Sequence, residues 1–221
     1  MSDAHDLSAQ LGEVRDQGSR GTCLAFAATA VHEQARRQSR GAWTERLGEE
    51  ILYWACKHLD GDRNAGTYPR SVADALRDNG QSAGELWPYE PGRDDRAAHY
   101  EPPPAARDAG QMRRASVHSM SHRLDDLRAR INSGHAVILG IELWPGFFNA
   151  PAGGLRVPAP LELIGEAHAV TLVGYDDDPR ELLLRNSWGD SWGQAGHGRL
   201  PYDALPIVVR GAWTVDDDLD A

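Results

Sequence analysis

The chain has 221 residues and a formal net charge of −10. This length suits one compact domain or two packed lobes, and the acidic balance argues against nucleic-acid binding because phosphate backbones are repelled. The sequence contains no run of about 18 apolar residues, which excludes an apolar membrane-spanning helix, and its first residues lack the basic and apolar segments of a secretory signal. We therefore expect a cytoplasmic protein with no nucleic-acid or membrane partner.

The first half of the chain is predicted to be helical. Apolar spacing predicts helices over Cys23–Arg37, Glu49–His58 and Arg70–Asp78, and Thr22 is the predicted N-cap of the first. Residues 1–12 are predicted to form an irregular lead-in. A stretch rich in proline and charge, Leu86–Gly110, is predicted to be a connector between lobes.

The second half is predicted to consist mainly of strands. A short amphipathic helix over Arg123–Asn132 precedes apolar, β-branched segments typical of strands. Because helices come first and strands second, the predicted fold class is α+β with segregated lobes, and not a doubly wound sheet. The predicted strands are Ala136–Leu143, Ala169–Tyr175, Glu181–Arg185 and Val208–Val215.

The cysteine count restricts the possible chemistry. Cys23 and Cys56 are the two cysteines of the chain, too few for a disulfide framework or a cysteine-based zinc site. Three consecutive acids, Asp176–Asp178, suggest a solvated turn more than a calcium site. We therefore expect no metal and no organic cofactor. One cysteine with a histidine and an asparagine elsewhere suits a thiol enzyme.

Cys23 stands at the first turn of a predicted helix. The positive end of a helix dipole favours the thiolate over the thiol, and the thiolate is the attacking species. Two nearby glycines, Gly18 and Gly21, would let the backbone approach a substrate closely. A lone helix cysteine is more often buried and inert, but the sequence around Cys23 favours the reactive interpretation.

The segment over residues 17–26 reads Gln-Gly-Ser-Arg-Gly-Thr-Cys-Leu-Ala-Phe. It resembles the active-site segment of the papain family, whose motif runs Gln-Gly-Ser-Cys-Gly-Ser-Cys-Trp-Ala-Phe. The resemblance implies that Cys23 attacks the scissile carbonyl. It also implies that the Gln17 side chain and the backbone N–H of Cys23 stabilise the oxyanion, and donors of this kind contribute about 3 kcal/mol each in comparable enzymes.

Four further stretches match the family in its order, so that the resemblance extends over residues 13–202. Asn64-Ala65-Gly66 resembles Asn-Gly-Gly, and the run that begins at Trp87 resembles Tyr-Pro-Tyr-Glu. The other two carry the histidine and asparagine motifs, Gly-Glu-Ala-His-Ala-Val at residues 165–170 and Arg-Asn-Ser-Trp-Gly at residues 185–189.

The resemblance also implies roles for these residues. His168 follows Cys23 by 145 residues, a separation expected for papain-like enzymes, and it would accept the thiol proton. Asn186 would accept the other N–H of the imidazole and hold the ring in plane. Trp188 would cover that hydrogen bond from water.

Four residues are predicted to line the substrate site. Ala65 and Gly66 would pair their backbone with an extended substrate. Glu166 and Ala167, which immediately precede the histidine, would line the pocket for the second residue on the acyl side. The carboxylate of Glu166 would favour basic side chains there.

The sequence departs from the family pattern at several positions. Arg20 replaces a motif cysteine whose disulfide partner lies near the helix that here carries Cys56, so that disulfide is impossible. Leu24 replaces the tryptophan that follows the nucleophile. His135 also stands in a His-Ala-Val string, but only His168 is followed by a strand end and the Asn186 motif, so we interpret His135 as an ordinary polar residue.

The sequence therefore predicts one papain-like domain over residues 1–221. It comprises a helical lobe at 13–108, a β-barrel-like lobe at 109–215 and an acidic tail at 216–221, with the active site in the cleft between the lobes. Too few residues precede Gln17 for the family's inhibitory pro-segment, so we expect restraint by narrow specificity, compartment or a regulatory partner.

The predicted function is that of a cysteine peptidase acting on peptides or proteins through a thioester acyl-enzyme. One alternative is an amidase or transpeptidase with the same Cys–His–Asn triad, and acceptor-dependent products would distinguish it. The other is a catalytically silent peptide-binding module, which active-site labelling would distinguish.

Overall fold

A computed structural model describes residues 3–41, 45–62, 64–110 and 113–219 of the chain. Over these residues, no helix combines the length and the apolar character that crossing a lipid bilayer requires. Cys23 is partly exposed and Cys56 is buried, and neither is in a disulfide.

The chain folds into two compact units, each built from two segments. The helical unit comprises Gln17–His118 and Val215–Ala221, and the sheet unit comprises Met1–Asp16 and Ser119–Thr214. Each unit thus takes in one terminal segment that is distant in sequence from its main body. The lobe limits predicted from the sequence, 13–108 and 109–215, remain a prediction.

The helices of the helical unit form where apolar side chains recur at helical spacing. In the third of them, Val72, Ala75 and Leu76 are fully buried, and their spacing of three and four residues places them on one face. Burying an aliphatic side chain such as Leu76 contributes about 1.5–3 kcal/mol. In chain order, the described helices of this unit are α1 (Cys23–Arg40), α2 (Glu49–Asp60), α3 (Pro69–Asp78) and α4 (Pro104–Gly110).

α1 begins at the predicted residue and extends past its predicted end at Arg37. The backbone carbonyl of Thr22 accepts the N–H of Phe26, which starts the helix. Thr22 is the N-cap residue, as predicted, but its hydroxyl makes no cap hydrogen bond. That hydroxyl lies 2.9 Å from the hydroxyl of Tyr89, which competes for it.

The ends of α2 and α3 follow local backbone rules. Gly61 ends α2 in the left-handed conformation, and its N–H reaches the carbonyl of Lys57 at 3.4 Å. Glycine adopts this conformation without a steric penalty. Pro69 opens α3, because a proline at the first helical position gives up only an N–H that has no helical partner. Both helices were predicted, within two residues at each end.

α4 lies inside the stretch that the sequence predicted to be a connector. Proline runs usually indicate loops, yet Pro104 opens this helix, and Ala106 within it is fully buried. The N–H of Ala106 bonds the carbonyl of Pro103 at 3.0 Å. The sequence did not predict a helix within this connector.

The strands form a sheet in the order β2-β7-β3-β4-β5-β6, with β1 also paired to β4. β4 is its most buried member, and β1, β3 and β5 all pair with it antiparallel. The strands are β1 (Ala4–Asp6), β2 (Ser116–Met120), β3 (Val137–Glu142), β4 (Ala167–Asp176), β5 (Glu181–Arg185), β6 (His197–Pro201) and β7 (Val209–Asp216), and the accompanying helices are α5 (Leu124–Asn132), α6 (Pro145–Phe148) and α7 (Leu205–Val208).

The predicted strands correspond to β3, β4, β5 and β7, with ends within two residues. β1, β2 and β6 were not predicted. β6 has the sequence His-Gly-Arg-Leu-Pro, which has low strand propensity, and it exists because it pairs with β5 along its length, from Glu181↔Pro201 to Arg185↔His197. The predicted α+β class is confirmed.

Candidate active site

Cys23 is the first residue of α1, a helix of 18 residues, and its side chain is partly exposed. The helix dipole creates positive potential at this position. Such an environment stabilises a thiolate relative to a thiol. The local structure therefore suits a nucleophile.

Gln17 lies at the other end of the same segment and is buried. Its side-chain amide nitrogen donates to the backbone carbonyl of Arg20 at 2.7 Å, so the segment folds back on itself. The hydroxyl of Tyr89 donates to the backbone carbonyl of Gln17 at 2.7 Å and also contacts the Thr22 hydroxyl. Tyr89 thus ties both ends of the segment before Cys23 to one side chain.

Arg20, at the motif position of a cysteine, makes a buried ion pair. Its guanidinium donates to both carboxylate oxygens of Glu50 at 2.8 Å and to the carbonyl of Glu90 at 3.1 Å. It also lies over the ring of Tyr89, 4.8 Å from the centroid, a favourable cation–π arrangement. Tyr100 donates to Glu50 at 2.6 Å. A polar cross-link therefore anchors residues 17–23, which we call the nucleophile segment after the predicted role of Cys23, to α2.

Cys56 sits in the interior of α2 and is fully buried. Burial raises the pKa of its thiol well above the ordinary range, because an apolar environment disfavours the charged form. Its thiol is therefore suited to packing and not to nucleophilic attack.

The predicted substrate residues Ala65 and Gly66 lie in the connection between α2 and α3. Gly66 has a φ of +88°. A Cβ atom on Gly21 would lie 2.6 Å from the backbone nitrogen of Gly66, so only glycine at position 21 lets the two backbones meet. The sequence suggested that Gly21 allows approach of a substrate; the structure shows that it accommodates this neighbouring segment.

In the sheet unit, His168 and Asn186 form a buried pair. β4 and β5 are antiparallel, with Thr171 opposite Arg185. Asn186, the residue that follows β5, therefore lies near the start of β4. Nε2 of His168 lies 2.7 Å from Oδ1 of Asn186. The same oxygen accepts the backbone N–H of Ser187 at 2.9 Å, which identifies it as the acceptor. Nε2 is therefore the protonated nitrogen, and Nδ1 is the proton acceptor of the neutral ring.

Burial lowers the pKa of His168 to about 4, and the hydrogen bond to Asn186 acts in the opposite direction. Moving an imidazolium out of water is costly, which favours the neutral ring. At neutral pH the ring is therefore uncharged and able to accept a proton.

Aromatic rings surround this pair. The ring of Trp188 lies 4.7 Å from that of His168, and Phe147, on α6, lies 5.7 Å from it. Phe147 is fully buried, and its carbonyl accepts the indole N–H of Trp192 at 2.8 Å. Phe148 stacks on Trp188 with centroids 5.5 Å apart. The sequence pointed to Trp188 alone, because no motif surrounds the two phenylalanines.

Glu166 and Ala167 are exposed and lead into the buried His168. The carbonyl of Glu166 accepts the N–H of Leu143 at 2.8 Å, and Ala167 pairs with Glu142 of β3. The sheet thus fixes the backbone of both residues while the Glu166 side chain faces solvent.

The other residues that the sequence analysis weighed, a second histidine and a run of three acids, make hydrogen bonds and an ion pair elsewhere in the fold. Nδ1 of His135 lies 2.9 Å from the carbonyl of Ser133, in the turn before β3. Asp177 pairs with Arg128 and accepts the hydroxyl of Tyr202 at 2.9 Å. Over the described residues, no group of three or more His, Cys, Asp or Glu side chains is arranged to hold a metal ion.

The structure therefore brings the predicted residues together in two sets. In the helical unit, one set contains Gln17 and Cys23 on the nucleophile segment, with Ala65 and Gly66 on the loop that Gly21 contacts. The sheet unit contains the other set, His168, Asn186 and Trp188, with Glu166 and Ala167 at the start of β4.

The chain has a papain-like α+β fold. Xylellain, a cysteine protease from Xylella fastidiosa, superposes with a TM-score of 0.88 at 22% identity, covering 97% of this chain and 86% of xylellain. The cysteine protease CMS1MS2 of Carica candamarcensis, solved in complex with E-64, gives a TM-score of 0.74 at 22% identity and covers 97% of this chain and 98% of its own.

Sequence comparison places the chain in a family. The model of the papain family cysteine proteases matches residues 1–204, so the chain belongs to the papain family and to the class of papain-like cysteine peptidases, which are hydrolases. Chymopapain of Carica papaya is 29% identical over 195 residues, which cover 85% of this chain. The aligned region spans 51% of chymopapain.

Proposed function

We propose that the chain hydrolyses peptide bonds with Cys23 as nucleophile, His168 as general base and Asn186 as the residue that orients the base. The observation that carries this proposal is the 2.7 Å hydrogen bond between Nε2 of His168 and Oδ1 of Asn186, because it selects the tautomer whose Nδ1 accepts a proton. The position of Cys23 at the start of α1 and membership of the papain family support it.

In the proposed reaction, Nδ1 of His168 takes the thiol proton of Cys23, and the thiolate attacks the peptide carbonyl carbon. A C–S bond forms and the carbonyl oxygen becomes an oxyanion. Collapse of this intermediate breaks the C–N bond, and the imidazolium gives its proton to the leaving amine. Water then attacks the thioester with His168 again as base, which releases a carboxylic acid and restores the thiol.

Gln17 and the backbone N–H of Cys23 are the proposed oxyanion donors. One amide hydrogen of Gln17 is directed at the carbonyl of Arg20, and this bond fixes the plane in which the second hydrogen points. Donors held in place before the reaction need no reorganisation as charge develops, and each contributes about 3 kcal/mol.

The proposed substrates are peptides or proteins bound in extended form along the backbone of Ala65 and Gly66. We assign Glu166 to the pocket for the second acyl-side residue, where its exposed carboxylate would favour a basic side chain. A fluorogenic peptide library varied at that position tests the assignment. Equal cleavage of basic and apolar peptides would reject it.

Active-site labelling tests the nucleophile. E-64, the compound in the CMS1MS2 complex, is the probe, and intact mass with peptide mapping is the readout. We expect one adduct on Cys23 and none on the Cys23→Ala variant. Cys56 is the internal control, because it is fully buried and burial raises the pKa of its thiol. No adduct, or equal labelling of both cysteines, would reject the proposal.

A further inference from the structure

Lys57 is the single lysine of the chain, and it sits in the last turn of α2. Its side chain is largely buried, with 12% exposed. The ammonium is surrounded by oxygen atoms of the last residue of α2 and of the connection that leads to α3. These are Oδ2 of Asp60 at 3.1 Å, Oδ1 of Asp62 at 3.0 Å, the carbonyl of Asn64 at 3.0 Å and the carbonyl of Gly66 at 3.1 Å.

The two carboxylates near the ammonium also hold the rest of this connection. The side chain of Asp60 is fully buried, and its other oxygen accepts the hydroxyl of Thr67 at 3.2 Å. Asp62 accepts the backbone N–H of Asn64 at 3.0 Å and the hydroxyl of Tyr68 at 3.1 Å. The described residues of this connection therefore pack around the Lys57 ammonium.

The charge on Lys57 is stable at neutral pH. Burial by itself would lower the pKa of Lys57, but the hydrogen bonds to Asp62 and Asp60 outweigh it, and the pKa is raised. Without the ammonium, a buried carboxylate and its neighbour would repel each other, and two backbone carbonyls would lose a charged donor.

The contact with Gly66 connects this loop to the nucleophile segment. On one side the backbone nitrogen of Gly66 lies against Gly21, closely enough to exclude a Cβ atom there. On the other side the Gly66 carbonyl accepts a hydrogen bond from Lys57. The position of the Gly66 peptide is thus set by one steric contact and one charged donor.

We propose that Lys57 is a positioning residue for substrate binding, whose ammonium orders the loop between α2 and α3 and so holds the Gly66 backbone ready to pair with an extended peptide. This inference rests on the proposed function. Lys57 acts on the substrate-pairing backbone and not on the reacting groups. Its loss should therefore weaken substrate binding, which raises KM, and leave the chemical step, and so kcat, nearly unchanged.

Steady-state kinetics of Lys57→Met and Lys57→Arg provide the first test. We expect KM to rise about tenfold for the Met variant, the effect of losing charged hydrogen bonds, with kcat within about twofold, and we expect Arg to recover part of the loss. Arg77→Met is the matched control, because Arg77 is an exposed cation paired with Asp74 and Asp78. A wild-type KM in Lys57→Met, or a loss confined to kcat, would overturn the inference.

Chemical rescue separates the role of the ammonium from a general packing defect. Lys57→Ala removes the atoms that propylammonium replaces. We expect this ion to restore the KM of Lys57→Ala and to leave the KM of the wild type unchanged. Tetramethylammonium at the same ionic strength has no N–H donor and should not restore it. Equal effects of the two ions would contradict a donor role for Lys57.

Hydrogen exchange measured by mass spectrometry tests the loop without catalysis. We expect amides between α2 and α3 to exchange faster in Lys57→Met than in the wild type, and amides of α1 to be unchanged. If the wild type cleaves no peptide, the proposed function is rejected and hydrogen exchange becomes the test of Lys57. Unchanged exchange in Lys57→Met would then overturn its ordering role. An active wild type with an unchanged KM in the variant would reject this inference alone.

Discussion

The guanidinium of Arg20 meets the carboxylate of Glu50 through two N···O distances of 2.8 Å, and both side chains are buried. The papain-family motif has a cysteine at the position of Arg20. In this chain a charged pair therefore links the segment before Cys23 to α2, where the motif would place a disulfide cysteine. A buried pair of this kind tolerates the loss of one partner poorly, because the other charge is left without compensation.

Glu50→Gln is expected to lower the free energy of unfolding by about 3 kcal/mol. The Arg20 charge stays buried in this variant, and Asp95, at 3.6 Å and partly exposed, offsets only part of the loss. Urea denaturation measures the change. Asp74→Asn is the control, because its pair with Arg77 is exposed and should contribute less than about 1 kcal/mol. Equal losses in both variants would contradict a special role for the buried pair.

Gly21→Ala should disturb the nucleophile segment. The added Cβ would lie 2.6 Å from the backbone nitrogen of Gly66, and neither backbone can yield without moving its segment. We expect stability to fall by about 1–3 kcal/mol and kcat/KM to fall with it, as measured by urea denaturation and peptide hydrolysis. Gly92→Ala is the matched control, since a Cβ there meets nothing within 4 Å. Wild-type behaviour of both variants would show that the two segments adapt freely.

Asn186→Ala should lower kcat more than it raises KM. Without the acceptor at 2.7 Å, the imidazole keeps its packing against Trp188 but loses the bond that selects its tautomer. We expect kcat to fall about 10- to 100-fold. Asn132→Ala provides the control, because Asn132 is exposed and accepts the hydroxyl of Tyr175 instead. An unchanged kcat in Asn186→Ala would reject the orienting role.

Acidification should destabilise the fold through His168. Burial lowers its pKa to about 4, whereas an unfolded histidine titrates near about 6.5. Between these values the unfolded chain binds a proton that the folded chain does not, so stability rises with pH across this window and is lost as pH falls, by about 1.4 kcal/mol per unit. Urea midpoints between about pH 4 and 6.5 should show a weaker dependence in His168→Gln. Parallel curves for both proteins would contradict the lowered pKa.

Much of the secondary structure was predictable because its causes are local. The apolar spacing of α1, the glycine after α2 and the proline that opens α3 all act within a few residues of the chain. β1 and β6 were not predictable in this way. Three residues at Ala4–Asp6 form a strand only because β4 pairs with them, and β6 depends on β5 in the same manner.

The sequence by itself determined the candidate residues of the site, because their order and spacing along the chain follow the papain-family motifs. Short strings of residues predicted that Cys23 stands at the start of a helix. They also predicted that His168 is hydrogen-bonded to Asn186. Only the tertiary structure decided what surrounds them, including the partner of Arg20, the oxygen atoms around Lys57 and the ring of Phe147 beside His168. These contacts join residues that are distant in sequence or lie in irregular loops. No local periodicity of the sequence predicts such contacts. Their energies come from burial and from charge compensation, which arise only when the chain has folded.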